Sequence, residues 1–199
     1  MEPTSAARIL KTALKLFSSK GYDATSVREL CEGSAITKPT LYHFYQSKEG
    51  VYRALVDGAL DDFRHSLIEA LEAPGTAPER LKRVAREYFD YGRRNRELTR
   101  FILGLVYNPS QSAAPPTDFG RFHTEVGGLV ADAIERGVDA AELAPGPIEV
   151  RLIVFLGAIS EALCGCVMTG RPELTAELAD TLVETILEGW RPPLASSEP

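Results

Sequence analysis

TSVRELCEGSAITKPTLYHF, residues 25–44, reads as two short helices joined by a tight turn. Ser26 is placed to cap the first: its hydroxyl accepts from backbone N–H groups that a helix start leaves unpaired, and Glu29, three residues on, reaches back to complete a capping box. Thr37 is placed to cap the second, with Pro39 in the first turn, where a missing N–H is harmless. Val27 and Leu30, then Leu41 and Phe44, recur at a spacing of three and give each helix one apolar side. Between them Gly33-Ser34-Ala35 supplies small residues, which let two helices meet closely at a steep angle.

If Leu41 and Phe44 face inward, Lys38, Thr40, Tyr42 and His43 are left on the outer side of the second helix. A cation, a hydroxyl, a phenol and an imidazole make a set of donors suited to phosphates and base edges. A helix presented N-terminus first also points free N–H groups and positive dipole at an anion. Such a helix can lie in the major groove of DNA. At this point the alternative, a solvated polar face on an ordinary helix pair, stands beside it.

Composition bounds the rest. A chain of 199 residues is long enough for a real core, in one domain or two small ones. Its formal charge of −6 argues against binding nucleic acid with the whole surface. The distribution differs from the total. Residues 1–50 hold seven Lys and Arg against five Asp and Glu, net +2, and the remainder holds fifteen against twenty-three, net −8. Five of the six lysines (Lys11, Lys15, Lys20, Lys38 and Lys48) lie in the basic segment that carries the helix pair.

Cys31, Cys164 and Cys166 are an odd number without a metal-ligand rhythm, and on a helix the last two point about 200° apart. Small core residues in a reducing compartment are the reading they support, with no metal and no cofactor expected. The polar opening Glu2–Arg8 is not a signal peptide. The most apolar run, Leu152–Ser160, is stopped by Glu161 and as a run is too short to span a bilayer, so a soluble, cytoplasmic protein without membrane contact is expected.

Upstream, Thr4 or Ser5 can start a helix whose apolar positions Ile9, Leu10, Ala13, Leu16 and Phe17 follow the helical period to a stop at Gly21. Packed on Val27, Leu30, Leu41 and Phe44, it makes a three-helix unit with a core of its own.

From Arg8 to Val51 the chain resembles, nearly position by position, the N-terminal DNA-binding domain of the TetR family of bacterial transcriptional regulators. The resemblance rests on Leu16-Phe17, Gly21-Tyr22, Thr25-Ser26-Val27, Leu41-Tyr42 with Tyr45, and Ser47-Lys48-Glu49. It covers about a quarter of the chain. Two departures stand out. The turn usually carries Ala-Gly where this sequence has Ser34-Ala35, at a cost of roughly 1 kcal/mol if Ala35 adopts positive φ. Cys31 replaces a usual alanine.

The resemblance implies an all-α chain with a helix-turn-helix domain at 1–50 and a helical ligand-binding and dimerisation domain at 51–199. It implies phosphate contacts from Thr25 and Ser26, and a phosphate or base contact from Arg28. Thr37, Lys38, Pro39, Thr40, Tyr42 and His43 correspond to the recognition helix, with Lys38, Pro39 and Thr40 nearest the bases and Tyr42 and His43 on the backbone. Lys48 corresponds to a phosphate clamp. The expected partners are a double-stranded, palindromic DNA operator, a second copy of the chain, and an apolar or aromatic small-molecule effector.

Beyond residue 50, Val51, Leu55, Ala59, Phe63 and Leu67 mark a long helix ending near Pro74-Gly75. Pro78 opens another through Leu81, Val84, Ala85, Tyr88, Phe89 and Gly92, and a short one follows over Leu98–Tyr107. NPSQSAAPPT, 108–117, reads as a loop, and Phe119–Arg136 as a helix closed by Gly137. The last two helices, from Pro147 to Thr169 and from Pro172 to about Trp190, pair off. Gly157, Ala158, Ala162 and Gly165 in the first allow close packing, within the chain or on a second copy; the family implies a four-helix dimer interface.

Effector-pocket candidates are Tyr88, Phe89, Phe101, Tyr107, Phe119, Phe122, His123 and Glu161, with Tyr91 among the same aromatics. Core packing is the competing reading for each ring, and an ion pair for Glu161. The sequence holds no Gly-rich phosphate loop, GxSxG, HExxH or metal-ligand spacing, so no catalytic residue is assigned. The competing function is a helical adaptor that binds protein instead of DNA.

Overall fold

The computed structural model describes residues 4–107 and 114–190, and among them the chain forms nine α-helices and no strand. It packs as two compact units, Met1–Asp62 with Glu97–Phe119, and Phe63–Arg96 with Gly120–Pro199.

The first unit contains α1 (Ser5–Lys20), α2 (Val27–Ser34), α3 (Lys38–Tyr45), the start of α4 (Lys48–Glu72) and nearly all of α6 (Arg96–Tyr107). Local chemistry sets its helix ends. Thr4 caps α1, and Gly21 ends it at φ 82°. Ser26 and Glu29 form the expected capping box on α2. Thr37 caps α3 with proline in the first turn, and Ser47 Oγ accepts from the Gly50 N–H at 2.9 Å where α4 begins. Ala35 takes the left-handed conformation, φ 51° and ψ 51°, and donates to the carbonyls that end α2. Ile9, Ala13, Phe17, Leu30, Leu41, Val51, Tyr52 and Val56 fill the core.

Phe44 departs from expectation: it is 45% exposed, while Leu41 is fully buried. At about 100° per residue, a step of three falls about 60° short of a full turn and a step of four overshoots by only about 40°. Tyr45 therefore takes the inward place above Leu41, half-buried, with its hydroxyl donating to the Ala6 carbonyl at 3.1 Å.

The second unit contains the rest of α4 with α5 (Ala77–Arg94), most of α7 (Phe119–Asp139), α8 (Ile148–Thr169) and α9 (Ala176–Glu188). Thr76 and Glu79 cap α5 reciprocally, and Leu81, Val84, Ala85, Tyr88, Phe89 and Gly92 on it are all buried. Phe155 and Ile159 from α8 and Ala179 and Val183 from α9 complete the core with Val130, Ala133 and Ile134 from α7. Polar ties across α5 and α9 are the paired hydrogen bonds from Arg86 to Asp180 at 2.6 and 2.5 Å and the Lys82–Glu184 bridge at 2.5 Å.

Three readings of this region change. Gly137 does not close α7, which runs on to Asp139; it is buried where α7 passes α5, and a Cβ there would overlap that of Ala77. The apolar stretch at 152–160 belongs to the 22-residue α8, which by length and composition alone is long and apolar enough to cross a membrane. Glu161 lies exposed inside that helix instead of stopping it. Of the loop at 108–117, residues 108–113 lie outside the described residues, and 115–118 have no regular structure.

Candidate nucleic-acid interface

With Leu41 as its buried anchor, α3 leaves Lys38, Pro39, Tyr42 and His43 exposed and Thr40 half-exposed. The Lys38 ammonium lies 5.6 Å from the centre of the Tyr42 ring. Thr37 and Thr40 share a hydroxyl–hydroxyl hydrogen bond of 2.8 Å at the start of the helix. His43 meets Phe44 edge to face at 5.3 Å. Exposed Phe44 thus adds an apolar surface that the sequence reading had turned inward.

Beside this helix runs an open groove of about 550 Å3, lined by Val27, Arg28, Cys31, Glu32, Ile36 and Lys38 among others. Arg28 is exposed and bonded to Glu32 at 2.6 Å, and that pairing raises its pKa. An exposed i,i+4 pair of this kind is weak in water, so a phosphate can displace the carboxylate. Burial pushes the Cys31 pKa up, keeping it a neutral thiol.

The three positions expected to supply further phosphate donors are differently placed. Thr25 is buried; its hydroxyl donates to the Gly21 carbonyl at 2.8 Å and its N–H to that of Tyr22 at 3.2 Å, which leaves no donor for a phosphate. Ser26 gives its N–H and its hydroxyl to one Glu29 carboxylate oxygen, at 2.9 and 2.7 Å. Lys20 bonds the other oxygen, and this cation with the two Ser26 donors lowers the Glu29 pKa to about 2. Lys48 is half-buried and donates to the carbonyls of Tyr22 and Thr25. Of these arrangements only the capping box was legible in the sequence: Lys48 and Lys20 find their partners where α4 and the end of α1 return in space, and the bonds of Thr25 to Gly21 and Tyr22 follow from the conformation of the turn between α1 and α2.

The effector candidates do not gather in one place. Phe101 and Phe119 pack with the first unit's core, Phe101 standing 6.4 Å from Tyr52. Tyr88 and Phe89 are buried in the second unit, and Phe122 packs against them. Phe63 joins Tyr88 at 4.7 Å, Tyr91 at 4.8 Å and Phe122 at 6.3 Å, so the aromatic cluster has a centre that the candidate set lacked. Tyr107 is 62% exposed, and His123 and Glu161 are also at the surface.

Residues 9–55, which hold α2, α3 and the start of α4, match the family described as bacterial regulatory proteins, tetR family. This N-terminal segment is that of the TetR family. Over 54 residues it is 44% identical to the transcriptional repressor ComR of Escherichia coli K12, covering 27% of this chain and 26% of that one. Alignments to the first curated relatives span 26–52% of those proteins' lengths. At the level of the whole fold, the TetR family regulator PfmR from Thermus thermophilus superposes with a TM-score of 0.71 at 25% identity, over 94% of this chain and 97% of that one. Bacillus subtilis FadR, solved with stearoyl-CoA, shares the fold with a TM-score of 0.71 at 16% identity, covering 92% and 97%. The TetR match takes in Ala35, whose left-handed backbone occupies the turn position where the family resemblance places glycine.

Proposed function

We propose that this TetR family chain is a transcriptional repressor that binds a palindromic double-stranded DNA operator as a homodimer and is released by a small molecule. The observation that carries the reading is the outer side of α3, where Lys38, Pro39, Tyr42 and His43 stand clear of the core over the anchor Leu41. Lys38, Pro39 and Thr40 face bases; Thr37, Tyr42, His43 and Arg28 hold the backbone. Residues 1–50 carry the reading head, whose core the start of α4 completes with Val51, Tyr52 and Val56, and 51–199 carry the ligand-binding and dimerisation domain.

Dimerisation supplies two heads for successive major grooves, about 34 Å apart. Support comes from α8, whose Val150, Ile153, Val154 and Met168 are 43–73% exposed and recur on one face with Gly157, a face that is apolar apart from the exposed Glu161. A second copy of α8 and α9 covers that face. The effector is apolar or aromatic, supported by the Phe63, Tyr88, Tyr91 and Phe122 cluster and by the acyl-CoA held in the FadR relative. Binding it moves α4, the helix that begins at Lys48 and continues into the second unit, and so changes the separation of the heads. The protein works in the cytoplasm, by binding and not by catalysis.

A gel shift of the full chain on DNA flanking its own gene, run over a salt series, tests this. A repressor binds one site tightly with a steep salt slope. Absence of any shifted species refutes the reading and favours the protein-binding adaptor.

A further inference from the structure

We infer that Lys48 serves DNA recognition as a positioning residue, tying the first turn of α4 to the turn between α1 and α2, and does not itself clamp a phosphate. This rests on the proposal that α3 reads DNA. The Lys48 Nζ donates to the Tyr22 carbonyl at 2.9 Å and to the Thr25 carbonyl at 3.0 Å, and it lies 4.1 Å from the centre of the Tyr22 ring. Two of its three N–H bonds are therefore occupied, and its charge rests on an aromatic face. Among the five lysines of the first fifty residues, Lys11, Lys15, Lys20 and Lys38 are exposed; Lys48 is not.

Its anchor is packed on both sides. Tyr22 is packed against Phe17 at 5.5 Å and against Tyr52 of α4 at 5.3 Å. Thr25 is closed from within by its own hydroxyl and N–H. One N–H is left over, so a phosphate that engages the ammonium with more than this third donor has to displace a charge-assisted hydrogen bond in exchange for a contact screened by water and salt.

The position of the anchor explains what the tie does. Thr25 immediately precedes Ser26, the residue that caps α2, and α2 packs against α3. Lys48 thereby sets the direction from which the chain enters α2, and through α2 the tilt of the outer side of α3. A shift at the start of α4 reaches α3 through Gln46 and Ser47, and it pulls on the Thr25 carbonyl through Lys48. The bond that orders the head in the absence of effector is thus one route by which α4 disorders it.

The test uses the full chain and its Lys48→Met variant, which keeps an unbranched apolar side chain and loses the donors. Binding is measured on a duplex from the DNA upstream of the gene and on a scrambled duplex of equal length, over a salt series. The inference expects upstream affinity to fall at least tenfold, with scrambled affinity unchanged and the slope of log K against log salt unchanged. A slope shallower by about 0.9 with equal losses on both duplexes identifies a phosphate clamp and overturns it. So does unchanged affinity. If circular dichroism shows Lys48→Met unfolded, Tyr22→Leu removes the ring while sparing the charge: a severalfold loss on the upstream duplex at constant slope supports the tie, and no loss overturns it. A wild-type chain that binds both duplexes equally refutes the reading of α3 itself, and the inference falls with it.

Discussion

Glu29 and Ser26 hold each other reciprocally: the carboxylate accepts the Ser26 N–H at 2.9 Å and its hydroxyl at 2.7 Å, while the Ser26 Oγ accepts the Glu29 N–H at 3.2 Å. Lys20 completes the group from the end of α1. These donors bring the Glu29 pKa from 4.5 to about 2. A carboxyl whose folded pKa is depressed adds stability that is full above its unfolded value and is lost as pH falls through the folded one. The stability difference between wild type and Glu29→Gln should be constant above about pH 5 and shrink between pH 4.5 and 2, read from thermal melts across that range. A difference independent of pH would show that the carboxylate is not the active partner.

Ala35 sits at φ 51°, ψ 51°, exposed, where α2 ends. Left-handed backbone costs an L-residue about 1–2 kcal/mol, and glycine gives back about 0.4–1 through the freer unfolded chain. Ala35→Gly should therefore stabilise the protein by about 0.5–1 kcal/mol, visible as a higher denaturant midpoint at unchanged slope.

Two glycines of α7 should answer the same substitution with opposite signs. A Cβ on Gly137 would overlap the Ala77 Cβ and lie 3.0 Å from Leu143 Cδ1, and the alanine cannot rotate away. Gly137→Ala should destabilise by about 1–3 kcal/mol. Gly128 is exposed with nothing within 4 Å of its Cβ position, so Gly128→Ala should stabilise by up to about 1 kcal/mol. Urea unfolding of the two variants checks both.

Arg151 lies buried with its guanidinium 4.9 Å over the ring of Trp190, the chain's one tryptophan, and hydrogen-bonded to the Ala144 carbonyl. Its Nη1 has no hydrogen-bond partner among the described residues, and burial lowers its pKa. Arg151→Ala removes the bond, the stacked cation and the packed stem, and should cost about 2–3 kcal/mol. Intrinsic fluorescence reports on it directly: Trp190 emission should move to the red as the ring is uncovered, and an unshifted spectrum would count against the packing described.

The parts of the fold that the sequence made legible are those decided within a few residues. Ser26 with Glu29, Thr37 with Pro39, and Gly21 after a helical period are local bargains between side chain and backbone, and the structure keeps each. Phe44 and Tyr45 show the limit: in a helix of about two turns a spacing of three and one of four compete, and only packing against the rest of the unit selects Tyr45. Lys48 could not be placed beforehand because its partners, the Thr25 and Tyr22 carbonyls, lie 23 and 26 residues away in sequence and meet it only where α4 returns to the α1–α2 turn, and Thr25 because the bonds that use up its donors depend on the conformation of that turn. Gly137 was ambiguous because glycine serves both helix ends and close crossings. Among the aromatics, periodicity showed which faced inward and gave no sign that Phe101 and Tyr88 join different cores.

Whether the outer side of α3 reads base pairs is decided by selecting bound duplexes from a random DNA library with the wild-type chain and with its Lys38→Ala and Thr40→Ala variants. Wild type should enrich a palindrome with half-sites one helical turn apart, or a multiple of it, and each variant should lose about 1–3 kcal/mol of preference at particular base pairs while the others keep theirs. Enrichment of the same motif to the same degree by all three proteins, or of no motif by any, would contradict base reading by α3.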